Sequence, residues 1–162
     1  MVYFIGAGPG APDLITVRGL KLLEKADLVI YAGSLVNEEL LQNCKKEAEI
    51  FNSARMTLEE VISVIKRAHK EKKSIVRLHT GDPSLYGAIR EQMDELDKAG
   101  IEYQVVPGVS SFCAAAASLN LEYTLPEVSQ TLIISRLSGR TKVGENESLK
   151  SLASHKSTMV LF

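Results

Sequence analysis

The chain opens with Val2-Tyr-Phe-Ile5, an apolar run that leads directly into Gly6-Ala-Gly-Pro-Gly10. A short apolar run that ends at glycine and proline is typical of a strand buried on both faces of a parallel sheet. Glycine at such a point allows the backbone to turn and to approach another chain segment or a ligand closely. These residues therefore predict a buried strand followed by a loop at one edge of a sheet.

Short apolar runs alternate with segments of helical period up to about residue 119. The predicted strands are residues 2–5, 28–31, 49–51, 74–78 and 103–106. The predicted helices are residues 16–26, a segment that starts at a capping box between Thr57 and Glu60, a segment from Ser84 to Gly100, and residues 114–118. The helix from Ser84 would turn five residues towards the core: Leu85, Ala88, Ile89, Met93 and Leu96. The alternation predicts an α/β fold, a mostly parallel sheet with helices on both faces.

The pattern changes after Leu119. Residues 120–127 are polar and contain a proline, which is typical of a linker. Beyond them the sequence predicts strands at 130–136 and 158–162 with a loop at 139–147, and the chain ends inside the last apolar run. We therefore expect an N-terminal α/β domain at 1–119, a linker at 120–127, and the incomplete start of a second α/β domain at 128–162.

Composition and charge exclude several classes of protein. The 19 basic and 20 acidic residues give a net charge of −1, which does not suit a nucleic-acid partner. We expect no membrane association, because no apolar run approaches the roughly 18 residues of a membrane span, and the N-terminus does not resemble a signal peptide. Cys44 and Cys113 have no metal or redox spacing and predict buried, reduced thiols in a cytoplasmic protein. The three histidines lie in separate elements, so we expect no metal site.

Three loops carry the unusual residues, and each follows a predicted strand. They are Gly6-Ala-Gly-Pro-Gly10, His79-Thr-Gly-Asp-Pro-Ser84 and Pro107-Gly-Val-Ser-Ser111. Ligands of open parallel sheets bind beyond the carboxyl ends of the strands. We therefore expect the three loops to line one site.

The side chains of these loops suit a small cationic or zwitterionic ligand. Asp82 would either cap the following helix or accept hydrogen bonds from a cationic or hydroxylated ligand. Ser110 and Ser111 offer two hydroxyl groups, one of which would cap a helix. The loops contain no lysine, which argues against a polyphosphate.

A dinucleotide site is the alternative from a different class of protein. Gly6, Gly8 and Ala11 match the glycine fingerprint of NAD-dependent oxidoreductases. However, Pro9 and Pro12 lack the amide donors that a pyrophosphate needs, and no carboxylate follows the second strand. A nucleotide-dependent oxidoreductase therefore stays a distant alternative.

Taken together, the three loops resemble those of the tetrapyrrole (corrin/porphyrin) methylase family. The motifs that carry the resemblance are Ile5-Gly-Ala-Gly-Pro-Gly-Ala-Pro-Asp-Leu-Ile-Thr-Val-Arg-Gly19, Thr80-Gly-Asp-Pro83 followed by Tyr86-Gly87, and Val106-Pro-Gly-Val-Ser-Ser111. The resemblance covers essentially the whole chain. It implies a two-domain, cytoplasmic and homodimeric methyltransferase of cobalamin and porphyrin biosynthesis. Such an enzyme takes S-adenosyl-L-methionine as donor, releases S-adenosyl-L-homocysteine, and acts on a tetrapyrrole, here a corrinoid precursor.

The resemblance also implies which residues contact the ligands. The expected cofactor contacts are Pro9, Thr80, Gly81, Asp82, Leu85, Ser110 and Ser111. Substrate contacts are expected at Gly8, Gly10, Arg18 and Arg55, the arginines because the substrate carries many carboxylates. No residue has the features of a general base, so no catalytic residue is assigned.

Further residues resemble the branch of the family that methylates C-11 of precorrin-4, with or without cobalt. They are Tyr31-Ala-Gly-Ser-Leu-Val36, Ala54-Arg-Met-Thr-Leu-Glu-Glu60, the segment from His79 to Gly87, and Gln130-Thr131 followed by Ser138-Gly-Arg-Thr141. The uroporphyrinogen branch has an Asp and a Lys where this chain has Ala32 and Ser53, which argues against that substrate. Other precorrin or uroporphyrinogen methyltransferases of the family remain alternatives. An inactive truncated fragment is another, and we expect little activity from this chain by itself.

Overall fold

In the computed structural model, which describes residues 1–137 and 143–162, five short strands pair into one sheet. They are β1 (Val2–Gly6), β2 (Leu28–Tyr31), β3 (Glu49–Asn52), β4 (Ile75–His79) and β5 (Tyr103–Val106). Their order is β3-β2-β4-β1-β5, and each neighbouring pair is parallel. All of β2 and β4 is buried, as expected for apolar strands covered on both faces. The predicted α/β fold with a mostly parallel sheet is confirmed.

Helices cover both faces of this sheet. The first is α1 (Val17–Leu23), and α2 (Leu58–Lys70) and α3 (Ile89–Lys98) follow it. Leu23 of α1 packs with Ile5, Val29 and Leu78 on one face. Residues of α2 and α3 pack on the opposite face in the cluster of Phe4, Ile30, Ile65, Ile75 and Leu96. The prediction of helices on both faces is therefore confirmed.

The order of the strands creates a crevice between β1 and β4. The chain leaves β1 towards β2 through α1, whereas it leaves β4 in the other direction, towards β5, through α3. Right-handed crossovers that run in opposite directions place their helices on opposite faces. The carboxyl ends of β1 and β4 therefore flank the point where ligands of such sheets bind.

The predicted capping box at the start of α2 is present. The Thr57 hydroxyl accepts a hydrogen bond from the Glu60 amide at 3.2 Å, and the Glu60 carboxylate accepts one from the Thr57 amide at 2.8 Å. These bonds satisfy two amides that the helix itself leaves unpaired.

The prediction that a helix begins at Ser84 is wrong, because α3 begins at Ile89. Tyr86 and Ala88 have φ angles of 56° and 49°, in the left-handed region that a right-handed helix cannot contain. Residues 84–88 therefore form a turn. Consequently Leu85 is only partly buried and Ala88 is exposed, instead of both facing the core.

The residues divide into two compact units, Met1–Ser111 and Phe112–Phe162. In the second unit β6 (Leu132–Ser135) and β7 (Thr158–Leu161) pair in parallel, close to the strands predicted at 130–136 and 158–162. The helix Ser111–Leu119 is α4. A short helix, α5 (Leu149–Ala153), was not predicted from the sequence. Residues 138–141, quoted above for the resemblance, and residues 139–142 of the predicted 139–147 loop lie outside the described residues. The domain boundaries stay a prediction.

Two further findings concern features raised by the sequence. Both cysteines are free, but Cys113 is exposed and only Cys44 is partly buried, so the prediction of two buried thiols is wrong for Cys113. None of the described helices is both long and apolar enough to cross a membrane.

Candidate functional site

The three loops meet at main-chain atoms of three glycines. A Cβ atom on Gly6 would lie 2.4 Å from the Gly81 carbonyl oxygen and 2.5 Å from the Gly108 Cα. A Cβ atom on Gly108 would lie 2.1 Å from the same carbonyl oxygen. All three distances are shorter than real Cβ contacts, so any other residue at Gly6 or Gly108 would push the loops apart.

A pair of hydrogen bonds joins the loop after β1 to the loop after β4. The Gly81 amide donates to the Gly8 carbonyl at 2.8 Å, and the Gly8 amide donates to the Gly81 carbonyl at 3.3 Å. Gly8 and Gly81 have φ angles of 82° and 59°, which glycine adopts without steric cost. Backbone pairing thus joins the two loops next to the carboxyl ends of β1 and β4.

Asp82 connects the loop after β4 to the loop after β5. Its Oδ2 accepts a hydrogen bond from the Gly108 amide at 2.9 Å, and its Oδ1 accepts bonds from the Ser84 amide at 2.8 Å and from the Ser84 hydroxyl. Partial burial alone would raise the pKa of Asp82, but the bonds from Ser84 and Gly108 outweigh it and keep the pKa below its ordinary value. The site therefore contains a fixed negative charge at neutral pH.

The structure brings the residues expected to contact the cofactor to one edge of the sheet. Pro9 follows β1, Thr80, Gly81, Asp82 and Leu85 follow β4, and Ser110 and Ser111 follow β5. Ser110 is 7% exposed, and a Cβ on Gly81 would lie 3.6 Å from its Cα. The convergence of these loops is an observed property of the backbone. Their contact with a cofactor stays a prediction.

The residues expected to contact the substrate are less closely grouped. Gly8 and Gly10 lie in the loop after β1, whereas Arg18 lies on α1 and Arg55 ends a 3-10 turn after β3, Ser53–Arg55. Both arginines are exposed. Within residues 1–137 and 143–162, no hydrogen bond or ion pair joins either arginine to the three loops. Contact of Arg18 and Arg55 with a substrate stays a prediction.

Two tethers of the loops were not predicted from the sequence. The Asn37 side-chain amide donates to the Gly10 carbonyl at 2.9 Å, and the Thr16 hydroxyl donates to the Pro107 carbonyl at 3.5 Å. Thr16 belongs to the first motif that carries the family resemblance. Nothing in the sequence pointed to a loop contact of Asn37, because asparagine is typical only of the start of a helix or turn. It does cap the turn that follows it, because its Oδ1 accepts from the Glu39 amide at 3.0 Å.

His79, the last residue of β4, is buried beside the site. It is 3% exposed, its ring lies 5.9 Å from the Phe4 ring between centroids, and its Nε2 has no hydrogen-bond partner within the described part of the chain. Burial, with a smaller contribution from the charge of Arg77, lowers the pKa of His79 to about 3. The imidazole is therefore neutral at physiological pH.

Arg77 is a buried cation in the middle of β4, two residues before His79. Its Nε donates to the Gln92 side-chain oxygen at 3.0 Å, and its Nη1 donates to the Ile30 carbonyl at 3.1 Å. Burial lowers the pKa of Arg77 to about 10, which leaves the guanidinium charged at pH 7. Arg77 lies among apolar residues of the strand, and this feature of the sequence could have identified it. The prediction of the site used only the loop motifs and missed it.

Other features of the described residues do not belong to this site. No group of three or more potential metal ligands occurs in the part of the chain that the structure describes. A groove of about 690 Å³ is lined by residues of α2 and by Glu95, and it includes none of the three loops. The groups available at the loops are backbone groups, hydroxyls, one carboxylate and the buried imidazole of His79.

The fold and the site define an α/β protein in which three glycine-containing loops converge at the carboxyl edge of a parallel sheet. Residues 1–162 match the family model of the tetrapyrrole (corrin/porphyrin) methylases. The chain belongs to this family.

Individual relatives agree with this membership. The chain is 61% identical over 161 residues to the cobalt-precorrin-4 C(11)-methyltransferase of Methanocaldococcus jannaschii, covering 99% of this chain and 62% of the relative. It superimposes with a TM-score of 0.96 on the X-ray structure of a cobalamin biosynthetic enzyme, cobalt precorrin-4 methyltransferase, at 52% identity, with coverage of 99% and 67%. Uroporphyrin-III C-methyl transferase from Thermus thermophilus, solved with S-adenosyl homocysteine, gives a TM-score of 0.71 at 29% identity, with coverage of 86% and 56%. The chain thus spans about three fifths of the length of the curated relative.

The glycine contact predicts a steric effect at Gly108. We expect Gly108→Ala to lower the free energy of unfolding by about 1–3 kcal/mol, because the new methyl group meets backbone that cannot move aside. Gly144→Ala is the matched control, since its Cβ would meet nothing within 4 Å. Urea denaturation followed by circular dichroism measures both. Equal stability of the two variants would contradict the contact.

The depressed pKa of His79 predicts acid sensitivity. Between the folded value of about 3 and an unfolded value of about 6.5, the unfolded state binds more protons, so stability is lost as pH falls below 6.5. We expect His79 to account for about 2–3 kcal/mol of the loss between pH 7 and pH 4.5. His79→Asn should reduce that loss by this amount in urea denaturation at the two pH values, whereas Ser63→Ala, an exposed change, should not. An unchanged loss in His79→Asn would show that His79 titrates normally.

Proposed function

We propose that this chain is part of an S-adenosylmethionine-dependent C-methyltransferase of cobalamin biosynthesis, which methylates C-11 of precorrin-4 or of cobalt-precorrin-4. The observation that carries the proposal is the convergence of three loops on the Gly6–Gly81–Gly108 contact. The family membership and the relative at 61% identity support the reaction and its substrate.

The residues at the loops fit S-adenosylmethionine. The glycine contact brings the three loops together at one edge of the sheet, so that their polar groups are available to one ligand. Asp82 provides negative charge for a donor that carries positive charge on sulfur and on its amino group. Pro9, Thr80, Gly81, Leu85, Ser110 and Ser111 would complete the contacts with the donor, which supplies a methyl group on a sulfonium with a good, neutral leaving group.

The contribution of the chain to catalysis would be orientation. Asp82, with its lowered pKa, and His79, with a pKa of about 3, are both poor proton acceptors at pH 7. We therefore assign no general base among the residues of these loops. Holding two reactants in line is worth about 7–11 kcal/mol of the barrier when the geometry is near ideal.

The choice of substrate rests on the loops after β2 and β3. At the positions where the uroporphyrinogen branch is expected to have an Asp and a Lys, this chain has Ala32 and Ser53. The Ser53 hydroxyl donates to the Tyr31 carbonyl at 3.0 Å, so it is engaged with the end of β2. Gly8, Gly10, Arg18 and Arg55 would contact the substrate. Other methyltransferases of the family remain the runner-up function.

The organisation of the enzyme is part of the same proposal. We propose a cytoplasmic homodimer in which residues 1–119 form the N-terminal domain, 120–127 a linker, and 128–162 the start of the second domain. We propose no nucleic-acid or membrane partner, in keeping with the net charge of −1.

An NAD-dependent oxidoreductase is disfavoured by the loop after β1. Dinucleotide folds place the pyrophosphate at the N-terminus of a helix that starts within the glycine loop. Here a 3-10 turn, Pro12–Leu14, follows Gly10, and α1 begins only at Val17. Gly6 and Gly8 face neighbouring backbone rather than a helix end, and a Cβ on Gly10 would meet nothing within 4 Å.

The donor proposal predicts which ligand the loops recognise. We expect S-adenosylhomocysteine at millimolar concentration to shift the amide NMR signals of Gly8, Gly81, Gly108 and Ser110, because these amides line the crevice. NAD at the same concentration should leave them unchanged, and the Gly144 amide is the internal reference. Shifts with NAD alone, or no shift with either ligand, would contradict the proposal. This measurement detects weak binding and so does not require a fully active chain.

The substrate proposal predicts an effect of charge at Arg55. We expect Arg55→Glu to weaken binding of the carboxylate-rich substrate about tenfold, because an attraction becomes a repulsion. Lys25→Glu is the matched control, since Lys25 is exposed and lies just before β2, at the opposite edge of the sheet. Titration of precorrin-4 monitored by absorbance measures both affinities. Unchanged affinity in Arg55→Glu would remove Arg55 from the site.

A further inference from the structure

A chain of hydrogen bonds runs from the buried centre of the sheet to the turn that precedes α3. Arg77 donates to the Ile30 carbonyl at 3.1 Å and to the Gln92 side-chain oxygen at 3.0 Å. The Gln92 side-chain nitrogen then donates to the Ala88 carbonyl at 3.1 Å. Arg77 and Gln92 are 7% and 6% exposed, so the two bonds of Arg77 are protected from competition with water, whereas the bond to the Ala88 carbonyl is only partly buried.

The turn at the end of this chain is strained. Tyr86 and Ala88 have left-handed φ angles of 56° and 49°, which residues with a Cβ atom adopt only when their surroundings hold them there. A Cβ on Gly87 would lie 2.2 Å from the Pro83 carbonyl oxygen, so the turn is also tightly folded. Ala88 offers no side-chain cap to α3. Some other group must therefore fix the turn.

We propose that Arg77 and Gln92 are positioning residues, whose hydrogen bonds hold the Ala88 carbonyl and thereby the left-handed turn that places Leu85 beside Asp82. Arg77 is anchored to β2 and lies within β4, which gives the turn a rigid attachment. At its other end the turn is tied to the site, because the Leu85 amide donates to the Asp82 carbonyl at 3.2 Å.

The consequence for the ligand rests on the proposed function, whereas the consequence for the turn does not. Leu85 is one of the expected donor contacts, and its place depends on the turn between Asp82 and α3. If the Ala88 carbonyl is released, the backbone of Ala88 relaxes towards the right-handed region. Leu85 then leaves its position and the donor loses a contact. Because glycine adopts a left-handed φ angle without steric cost, Ala88→Gly would remove the steric cause of this relaxation.

Two substitutions separate this role from simple packing. Gln92→Glu keeps an oxygen acceptor for Arg77, and adds an ion pair to it, but removes the donor to the Ala88 carbonyl. Ala88→Gly lets the turn keep its left-handed angle without that donor. The test therefore compares wild type, Gln92→Glu, Ala88→Gly and the double variant. Gln104→Glu, an exposed change of the same chemistry on β5, is the matched control.

The first measurement is amide hydrogen exchange at Leu85 in the full 162-residue chain. We expect Gln92→Glu to speed this exchange about tenfold, the usual size of the effect of losing one buried hydrogen bond. The double variant should return to within about twofold of Ala88→Gly alone, and Gln104→Glu should match wild type. If Gln92 acted only by packing in the core, Ala88→Gly would not restore the exchange rate of Leu85, because Ala88 is exposed.

The second measurement is the affinity for S-adenosylhomocysteine, which should follow the same order. Unchanged Leu85 exchange in Gln92→Glu, or exchange that Ala88→Gly fails to restore, would overturn the positioning role. If wild type does not bind S-adenosylhomocysteine, the proposed function fails while the exchange data still decide this inference. Should Gln92→Glu not fold, Gln92→Met removes both bonds without adding charge, and the same rescue is expected from it.

Discussion

The contact between the backbones of Gly6, Gly81 and Gly108 is the constraint on which the site depends. Main-chain atoms of three loops touch there, so each loop is positioned by the other two and by the strand that carries it. Gly6 pairs with His79 in the register of β1 and β4, two residues before Gly81. A slip of one residue between these strands would separate the glycines and turn every side chain to the other face. The geometry of the site therefore depends on the register at the centre of the sheet.

Much of this arrangement is predictable, because it follows from local properties of the sequence. Buried strands appear as short apolar runs, and the capping box at Thr57 marks the start of α2 where the structure has it. The position of the three loops at one edge follows from the parallel sheet itself. Glycine and proline identified the loops, since glycine allows two backbone segments to approach closely and proline ends a strand or helix. Which atoms touch, however, depends on strand order, which no local pattern contains.

The start of α3 shows why other parts of the structure could not be predicted from the sequence. Leu85, Ala88 and Ile89 have helical spacing, and alanine favours helices, so local preference points to a helix from Ser84. The left-handed angle of Ala88 is instead maintained by Gln92, and through it by Arg77. A local side-chain bond from Gln92, fixed by its long-range bond with Arg77, outweighs helix propensity here. Asn37 is a similar case, because its cap on a turn is local, whereas its bond to Gly10 spans 27 positions.

The pairing of β1 with β5 joins the first strand of the chain to the last strand of this sheet. During synthesis one edge of β1 therefore remains open until Tyr103–Val106 has been made, and neither Pro107 nor Gly108 is in place before then. No partly synthesised sheet has a complete crevice. A small molecule that recognises this crevice can stabilise only the finished sheet, and it gives no help to the shorter nascent chain.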